Sequence, residues 1–524
     1  MAIKTKLLVV KLGTTPETRP IIDLLRARLA PCFIAGVEEC LDTPDSVYDE
    51  ILTSHDDALF GAYLKHDLSR SFIDGDLAKE MKEFEGQGLR MLDRLVYHEQ
   101  SLYKKNPLFE LRYRGSFRDR VDLLSRHTIF WDYVLRKYQF DAVISQNFSH
   151  VGYDLPLEHL CRLRRIPHLI LADVPKFAPG TIYIQESVGD FGNLAFGKSI
   201  KDRCSSNLFP ETRKWISRRY LSVHSENLRN HEVQKSLVRR SFNTGILTAL
   251  ITRGSIHREV NSVRDVLNSL GSRTRAAVVS PLLTAKSLLR TTRRSVRTRQ
   301  SMNEERSLSS MSPPIGPYVY FPLHFQPEAS TSSKGRHYVE QREAVAMVAA
   351  SLPPGWRLLV KEHPHQFRRL YPRPRNFYKS LTNIPNTALI HHTFPGESLV
   401  DSSEGVVAIS HASSAISAWL KGRRVVILGD SNLLGAPRIL FPQHVHELKQ
   451  FWLNEWNHNV DSTVLLRYLE EVEASTFELG FHGAPSGYSS EEAKTFVLRT
   501  QHNTVELILA WLASRNVKTP TETD

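Results

Sequence analysis

Apolar and polar residues fall along this chain in two series of short strand-like runs separated by helical periods. The first series opens at Lys6-Leu-Leu-Val-Val-Lys-Leu-Gly13, a buried-strand pattern that ends in glycine. Helical spacing follows from Arg19 to Leu29. Phe140 to Gln146 reads as a second strand, Leu155 to Arg165 as a helix, and His168 to Asp173 as a third strand. Strand, helix and strand in that order predict a βαβ unit and a parallel sheet. Residues 50 to 140 read as mainly helical, with Leu89, Leu92, Leu95 and Val96 spaced by three or four.

The second series begins after Met311-Ser-Pro-Pro-Ile-Gly-Pro317, a boundary signal. Strands are predicted at Tyr318 to Pro322, Trp356 to Lys361, Thr387 to His392, Gly405 to Ser410 and Arg424 to Gly429. Helices are predicted at Gly335 to Ser351, Pro395 to Ser402 and Ser413 to Lys421. No internal repeat is evident. The amphipathic stretch Ser489 to Ala513 is long enough to pack elsewhere. The predicted fold class is α/β, with two Rossmann-like doubly wound domains facing a cleft. The expected divisions are 1–197, a basic and mainly helical segment 198–316, a second domain 317–487, and a C-terminal helix with a polar tail, 488–524.

Length and composition fit this picture. A chain of 524 residues exceeds one ordinary domain. Hydrophobic residues at 41% and charged residues at 24% are the balance of a globular protein. No apolar run reaches bilayer-spanning length, and Leu7 to Val10 is too short for a secretory signal core. Cys32, Cys40, Cys161 and Cys204 form no CxxC pair, which argues against a zinc site and a disulfide framework. A reducing cytoplasmic compartment is expected.

Charge changes the picture locally. Of 68 Lys and Arg, 23 lie between Lys198 and Ser310, against 8 of the 56 Asp and Glu, so that stretch alone has an excess of 15 positive charges. Within 273–299, Lys286, Arg290, Arg293, Arg294, Arg297 and Arg299 alternate with Leu282, Leu283, Leu288, Leu289 and Val296. A basic helix with an apolar side can rest on an anionic membrane; the plain alternative is a solvated linker. The stretch lacks interleaved aromatics, so no nucleic-acid partner is expected.

Ligands of doubly wound sheets bind beyond the carboxyl ends of the strands. Four predicted strand ends carry polar clusters. Phe321 to Thr331 holds His324, Gln326, Glu328, Ser330 and Thr331 on a loop stiffened by proline. It reads as a site or as a solvated loop. Lys361, Glu362, His363 and His365 leave the next strand, with Pro364 suited to a helix-entry turn. His363 could donate to a phosphate or carry a proton. Its His-Pro-His setting lacks helical ligand spacing for a metal. The third cluster, Ser410-His-Ala-Ser-Ser414, runs into a helix. There Ser413 and Ser414 either cap the helix or help its N–H groups hold a phosphate. Gly429 and Asp430 close the fourth strand. Gln146, Asn147, Ser149, His150 and Asp173 follow strands of the first domain, where ordinary loop residues are the plainer reading. No GxGxxG, Walker or G-x-S-x-G motif occurs.

The segments YVYFPLHFQPEAST, LLVKEHP and AISHASSAISAWLKGRRVVILGD, in this order, resemble the bacterial capsule polysaccharide biosynthesis family, which includes Kdo-transferring enzymes of GT-B architecture. The likeness is strongest over 317–430. It implies a glycosyltransferase using a nucleotide-activated sugar, with CMP-Kdo the best-known donor. In that family His363 and Pro364 match the element that contacts the nucleotide, and Ser413 and Ser414 match the phosphate-binding turn. Gln326 to Glu328 lies where those enzymes place a glutamine and consecutive acids; here a single Glu328 precedes Ala329. On this reading Glu328 and His324 are the catalytic candidates. Gln326, Lys361, His363, Pro364, Ser410, Ser413 and Ser414 bind the nucleotide. No metal or other cofactor is expected. The acceptor is a lipid-linked or growing glycan at the inner membrane face. A non-catalytic nucleotide-sugar or glycan binding subunit of a capsule assembly complex is the competing reading, and similar tandem domains also serve epimerases.

Overall fold

The computed structural model describes residues 4–38, 46–54, 117–147, 156–173, 181–186, 194–204, 281–326, 334–368, 371–410, 412–431, 435–456, 462–481 and 489–517, with positions 58, 63, 68, 153–154, 331 and 433 between them. The first sheet is built from β1 (Thr5–Val10), β2 (Cys32–Glu38), β3 (Glu50–Ser54), β4 (Ala142–Gln146), β5 (His168–Asp173) and β6 (Thr181–Gln185), with a later strand, β14 (Thr476–Glu478). Its order is β14-β6-β5-β4-β1-β2-β3. β1 to β5 run parallel, whereas β6 and β14 are antiparallel to their neighbours. Helices α1 (Arg19–Arg28), α2 (Phe117–Tyr138), α3 (Leu157–Leu163) and α4 (Leu194–Lys201) accompany it. The strands are apolar on both faces because both faces are covered. Leu7 and Val9 enter one buried cluster with α1, and Leu8 and Val10 enter the other with α2 and α3.

The second sheet is wholly parallel, in the order β13-β12-β11-β8-β9-β10-β7. Its chain order is α5 (Pro281–Leu308), β7 (Ser309–Ser310), β8 (Tyr318–Pro322), α6 (Gln341–Ser351), β9 (Arg357–Lys361), α7 (Pro364–Arg368), α8 (Phe377–Thr382), β10 (Thr387–Ile390), α9 (Gly396–Ser402), β11 (Gly405–Ala408), α10 (Ser413–Leu420), β12 (Arg424–Ile427), β13 (Ile439–Leu440) and α11 (Val445–Leu453). From β8 the sheet grows one way through β9 and β10, then the other way through β11, β12 and β13. This is the doubly wound strand order, and the reversal falls between β8 and β11. The protein is therefore two Rossmann-like α/β units in tandem.

Several expectations are corrected. The stretch 50–140 opens with strand β3 rather than helix; Leu89, Leu92, Leu95 and Val96 lie outside the described residues. The second unit starts before 317. Met302 of α5 is buried in its core, and β7 pairs with β10. The Pro/Gly run at 311–317 is thus a loop within that unit. At the other end, α12 (Ser462–Ser475) leads into β14, which joins the first sheet through β6. The last helix, α13 (Ser490–Ser514), starts at a Ser489–Glu492 capping box. It buries Val505, Leu507, Ile508, Trp511 and Leu512 in the first unit's core, beside α1. The chain crosses back, so β14 and α13 belong to the first unit.

Of the basic segment, 205–280 lies outside the described residues, as do the side chains of Lys286, Arg290 and Leu282 to Leu289. The described part of α5 faces inward with Thr298, Ser301, Met302 and Glu305, while Val296 is exposed. Its inner face is therefore largely polar. No helix among the described residues is long and apolar enough to cross a membrane.

Candidate functional site

The reversal between β8 and β11 brings two strand ends and two loops together. Beyond β8, His324 is buried, and its Nε2 accepts the Ile409 N–H at 3.2 Å, just past β11. In the neutral ring the proton then sits on Nδ1. This bond clamps the two strand ends and occupies one of the imidazole's nitrogens. Glycines permit close approach of the next loop. A Cβ on Gly429 would lie 2.1 Å from the Lys334 carbonyl oxygen, and one on Gly335 would lie 2.3 Å from that of Thr331. The Asp430 N–H donates to Lys334 O at 2.7 Å. Lys334 and Gly335 are thereby seated on the ends of β11 and β12.

Behind this clamp lies a buried polar network. Gln326 Nε2 donates to Val339 O at 2.8 Å. Its Oε1 accepts from Gln341 Nε2 at 2.9 Å and Arg373 Nη1 at 3.0 Å. Gln366 bonds both main-chain groups of Gln326. Arg373 grips Glu362 in a two-pronged pair, Nε to Oε2 at 2.8 Å and Nη2 to Oε1 at 2.9 Å, and Nη2 also reaches His324 O. Tyr378 donates to Glu362 Oε2 at 2.7 Å, and the His363 N–H donates to Oε1 at 2.6 Å. Burial of the Tyr378 phenol, with Glu362 beside it, pushes its pKa far up, so it remains a donor. Gln326 thus bonds the protein through both ends of its amide.

Lys361 ends β9 between Pro322 of β8 and Ile390 of β10. It is buried, and desolvation lowers its pKa to about 8, with Glu362 and Glu305 opposing the shift. A cation held in so dry a place favours an anionic ligand. His363 follows. Its Nδ1 accepts the His365 N–H at 3.1 Å, which leaves the proton of the neutral ring on Nε2, a donor. Pro364 opens α7, as its fixed φ and missing N–H suit a first helical residue.

Ser410 is fully buried just past β11. The capping expectation for Ser413 and Ser414 is not met. The N-cap of α10 is Ala412, in extended conformation and without a side-chain cap, so the serines occupy the first two helical positions. Their N–H groups and the positive end of the helix face the same end of the sheet as Lys361. β-strand spacing of roughly 4.8 Å puts the ends of β9 and β11 about 10 Å apart, with β8 between them. A phosphoryl group can be held from both sides over that span. Glu328 and His411 lie outside the described residues.

In the first sheet the corresponding reversal lies between β1 and β4. Lys11 follows β1 and pairs with Asp154 at 2.5 Å. Gln146 and Asp173 end β4 and β5, and Asn147 has a positive φ of 67°. Ser149 and His150 lie outside the described residues. Sequence reasoning missed Gln341, Gln366, Arg373 and Tyr378. One local signal was present for Arg373, an arginine between Pro372 and Pro374, where the backbone is stiff.

No family model matches the chain, and no curated protein matches it. Solved structures align along most of its length, but loosely. The UDP-GlcNAc 2-epimerase from Neisseria meningitidis bound to UDP-GlcNAc is 11% identical over 98% of this chain and 100% of that one, with a TM-score of 0.21. The epimerase from Methanocaldococcus jannaschii is 11% identical over 90% and 99%, with a TM-score of 0.22. CalG4, the calicheamicin glycosyltransferase, is 10% identical over 98% and 99%, with a TM-score of 0.20. Likenesses this loose carry no argument, so the fold rests on the strand orders above.

Proposed function

We propose that this chain is a GT-B-type glycosyltransferase that takes its sugar from a nucleotide-activated donor. One observation carries the reading: the side-chain-uncapped start of α10 and the buried ammonium of Lys361 stand on opposite sides of the β8 strand end, where the sheet reverses. The N–H groups and hydroxyls of Ser413 and Ser414 receive the donor phosphate, and Lys361 supplies the countercharge as the nucleotide leaves. His363 donates through Nε2 to the nucleotide, and Pro364 fixes the turn that presents it. Glu328, on the loop after β8, takes the proton of the acceptor hydroxyl. His324 acts by positioning, since its Nε2 bond holds β8 to β11. The resemblance in 317–430 favours a CMP-linked donor, CMP-Kdo, and an acceptor that is a lipid-linked or growing capsule glycan. The exposed Arg293, Arg297 and Arg299 of α5 suit contact with an anionic inner-membrane surface; loss of vesicle co-sedimentation on changing them to Ser tests that contact.

The deciding experiment is calorimetry with CMP, UDP and GDP on the full chain, on Lys361→Met and on Ser413→Pro. Proline suits this position because Ala412 already has φ −135° and ψ 149°. It removes one N–H and one hydroxyl without disturbing the helix. Losing a charge-assisted bond costs about 1.5–3 kcal/mol, or roughly 10- to 150-fold in affinity. Nucleotide binding that is undiminished in both variants rejects the site. The second reading, a binding subunit without turnover, is favoured by the single acid at Glu328. Incubation with nucleotide sugars and acceptor, followed by product analysis, distinguishes them.

A further inference from the structure

A second cluster lies two strands away from β8, at the end of β10. Glu305, in the last turn of α5, is buried, and its Oε1 accepts the His392 N–H at 2.8 Å. Its Oε2 lies 2.9 Å from His392 Nδ1 and 3.9 Å from His391 Nε2. One ligand atom from each of the three residues falls within 4.8 Å of the others. We propose that Glu305, His391 and His392 bind a divalent transition-metal ion, with zinc the best fit.

Four features support a cation here. Zinc bonds of about 2.0–2.2 Å in tetrahedral geometry place ligand atoms roughly 3.3–3.5 Å apart. The two separations from Glu305 Oε2 bracket that value, so closure needs side-chain shifts of well under an ångström at each. His391 Nδ1 is engaged by Thr393, lying 2.7 Å from its Oγ1 and 3.4 Å from its main-chain nitrogen, which holds the ring by that edge and leaves Nε2 on the side of Glu305; metal-bound imidazoles are commonly oriented through their other nitrogen in this way. Glu305 stands at the carbonyl end of a 28-residue helix, where a carboxylate is disfavoured by the dipole and a cation is favoured. One turn earlier on the same face, Ser301 Oγ is buried without a hydrogen-bond partner, a polar place left open beside the ligands. The ligands are also held in place: the His391 N–H donates to Ser310 O of β7 at 2.9 Å, and the His392 ring meets Phe367 edge-on at 5.0 Å. The ammonium of Lys361 opposes the ion and Glu305 offsets it. Three protein ligands leave a fourth position open, but no step of sugar transfer is routed through the ion. The proposal does not depend on the nucleotide-sugar reading.

The test uses the full chain stripped with chelator and no nucleotide. Cobalt is titrated while visible absorption is followed, then displaced by zinc; zinc-dependent melting is measured in parallel. The wild type is expected to take up one more equivalent than His391→Ala. It should also show a tetrahedral cobalt band that the variant lacks, and a zinc-induced rise in Tm that the variant loses. The metal-free melting of His391→Ala should match the wild type, because the ring's polar bond is local. If that variant does not fold, His391→Gln is measured in its place. Equal stoichiometry, equal spectra and equal melting in wild type and variant overturn the proposal.

Discussion

Arg373→Met should loosen the second unit at its strand ends by far more than a surface substitution would. The arginine makes two bonds to Glu362, one to Gln326 Oε1 and one to the His324 carbonyl, and its guanidinium lies 4.9 Å from the Phe377 ring centre. The paired side chains are only 3% and 0% exposed. Removing Arg373 leaves the Glu362 carboxylate in a dry interior without its cationic partner, with the Tyr378 hydroxyl and the His363 N–H still donating to it. Breaking one side of such a pair costs about 3–5 kcal/mol, mostly the penalty of the stranded charge. At about 1.4 kcal/mol per tenfold, local opening should become roughly a hundredfold to several thousandfold more frequent.

Hydrogen exchange of the β8 and β9 amides reads this directly, without assuming that two units unfold together. The double variant Arg373→Met with Glu362→Leu removes the stranded charge as well. It should recover at least about tenfold of the lost protection, even though the Tyr378 hydroxyl then lacks its acceptor. The reasoning is refuted if Arg373→Met changes exchange less than tenfold, or if the double variant is no better protected than the single one.

Other expectations follow from the same geometry. Nucleotide affinity should fall as pH rises through about 8, where Lys361 loses its proton, and Lys361→Arg should hold it level to pH 9; calorimetry showing the same decline in both proteins would sink the Lys361 assignment. Stability has the opposite sign: protonating a lysine with a depressed pKa costs the fold, so the Lys361 contribution is present above its ordinary 10.5 and is lost as pH falls to about 8. Gly429→Ala should lower stability by about 1–3 kcal/mol and weaken nucleotide binding, because its Cβ meets two carbonyl oxygens at 2.1 and 2.8 Å; an unchanged Tm would show that the loop yields freely. Trp511→Ala should cost about 3–5 kcal/mol in the first unit, since the ring is fully buried in the core cluster that also holds Leu7 and Val9 of β1 and Ile182 of β6; equal protection of those strands in hydrogen exchange would contradict that packing.

The central strands of the second sheet were legible because they are buried and read as unbroken apolar runs, whereas the two-residue edge strands β7 and β13, partly exposed, were not. Tyr318–Pro322, Leu358–Lys361 and Val406–Ala408 carry that pattern in plain view. β2 was not read. It starts directly after Pro31, carries Gly36 inside it and ends in a buried Glu38. Gly36 has a tertiary cause: a Cβ there would sit 2.5 Å from the Tyr48 ring, so local preference is overridden by a neighbour twelve residues away. β14 is three residues long and pairs with Thr181–Tyr183, nearly three hundred positions earlier. No local period announces such a strand. The site was legible in the same uneven way. Its strand-end residues could be named, but whether each meets ligand or protein depended on Gln341, Gln366 and Arg373, which come from later elements.

That dependence also bears on how the two units communicate. α10, whose start is the proposed phosphate cradle, buries Trp419, and the Tyr468 ring of α12 packs edge-on to it at 5.6 Å. α12 also packs against α4 of the first unit and continues without a break into β14. Lys201 of α4 donates to the carbonyls of Glu473 and Thr476, at the junction of α12 and β14. One helix therefore touches the core beneath α10 and the edge of the other sheet. A displacement of α10 on ligand binding must either move α12, and with it β14, or open the Trp419–Tyr468 contact. In a close-packed interior the first is the less costly, because it keeps buried aromatic surface out of water. The returning segment is thus a physical path by which a ligand held at the start of α10 can shift the first sheet.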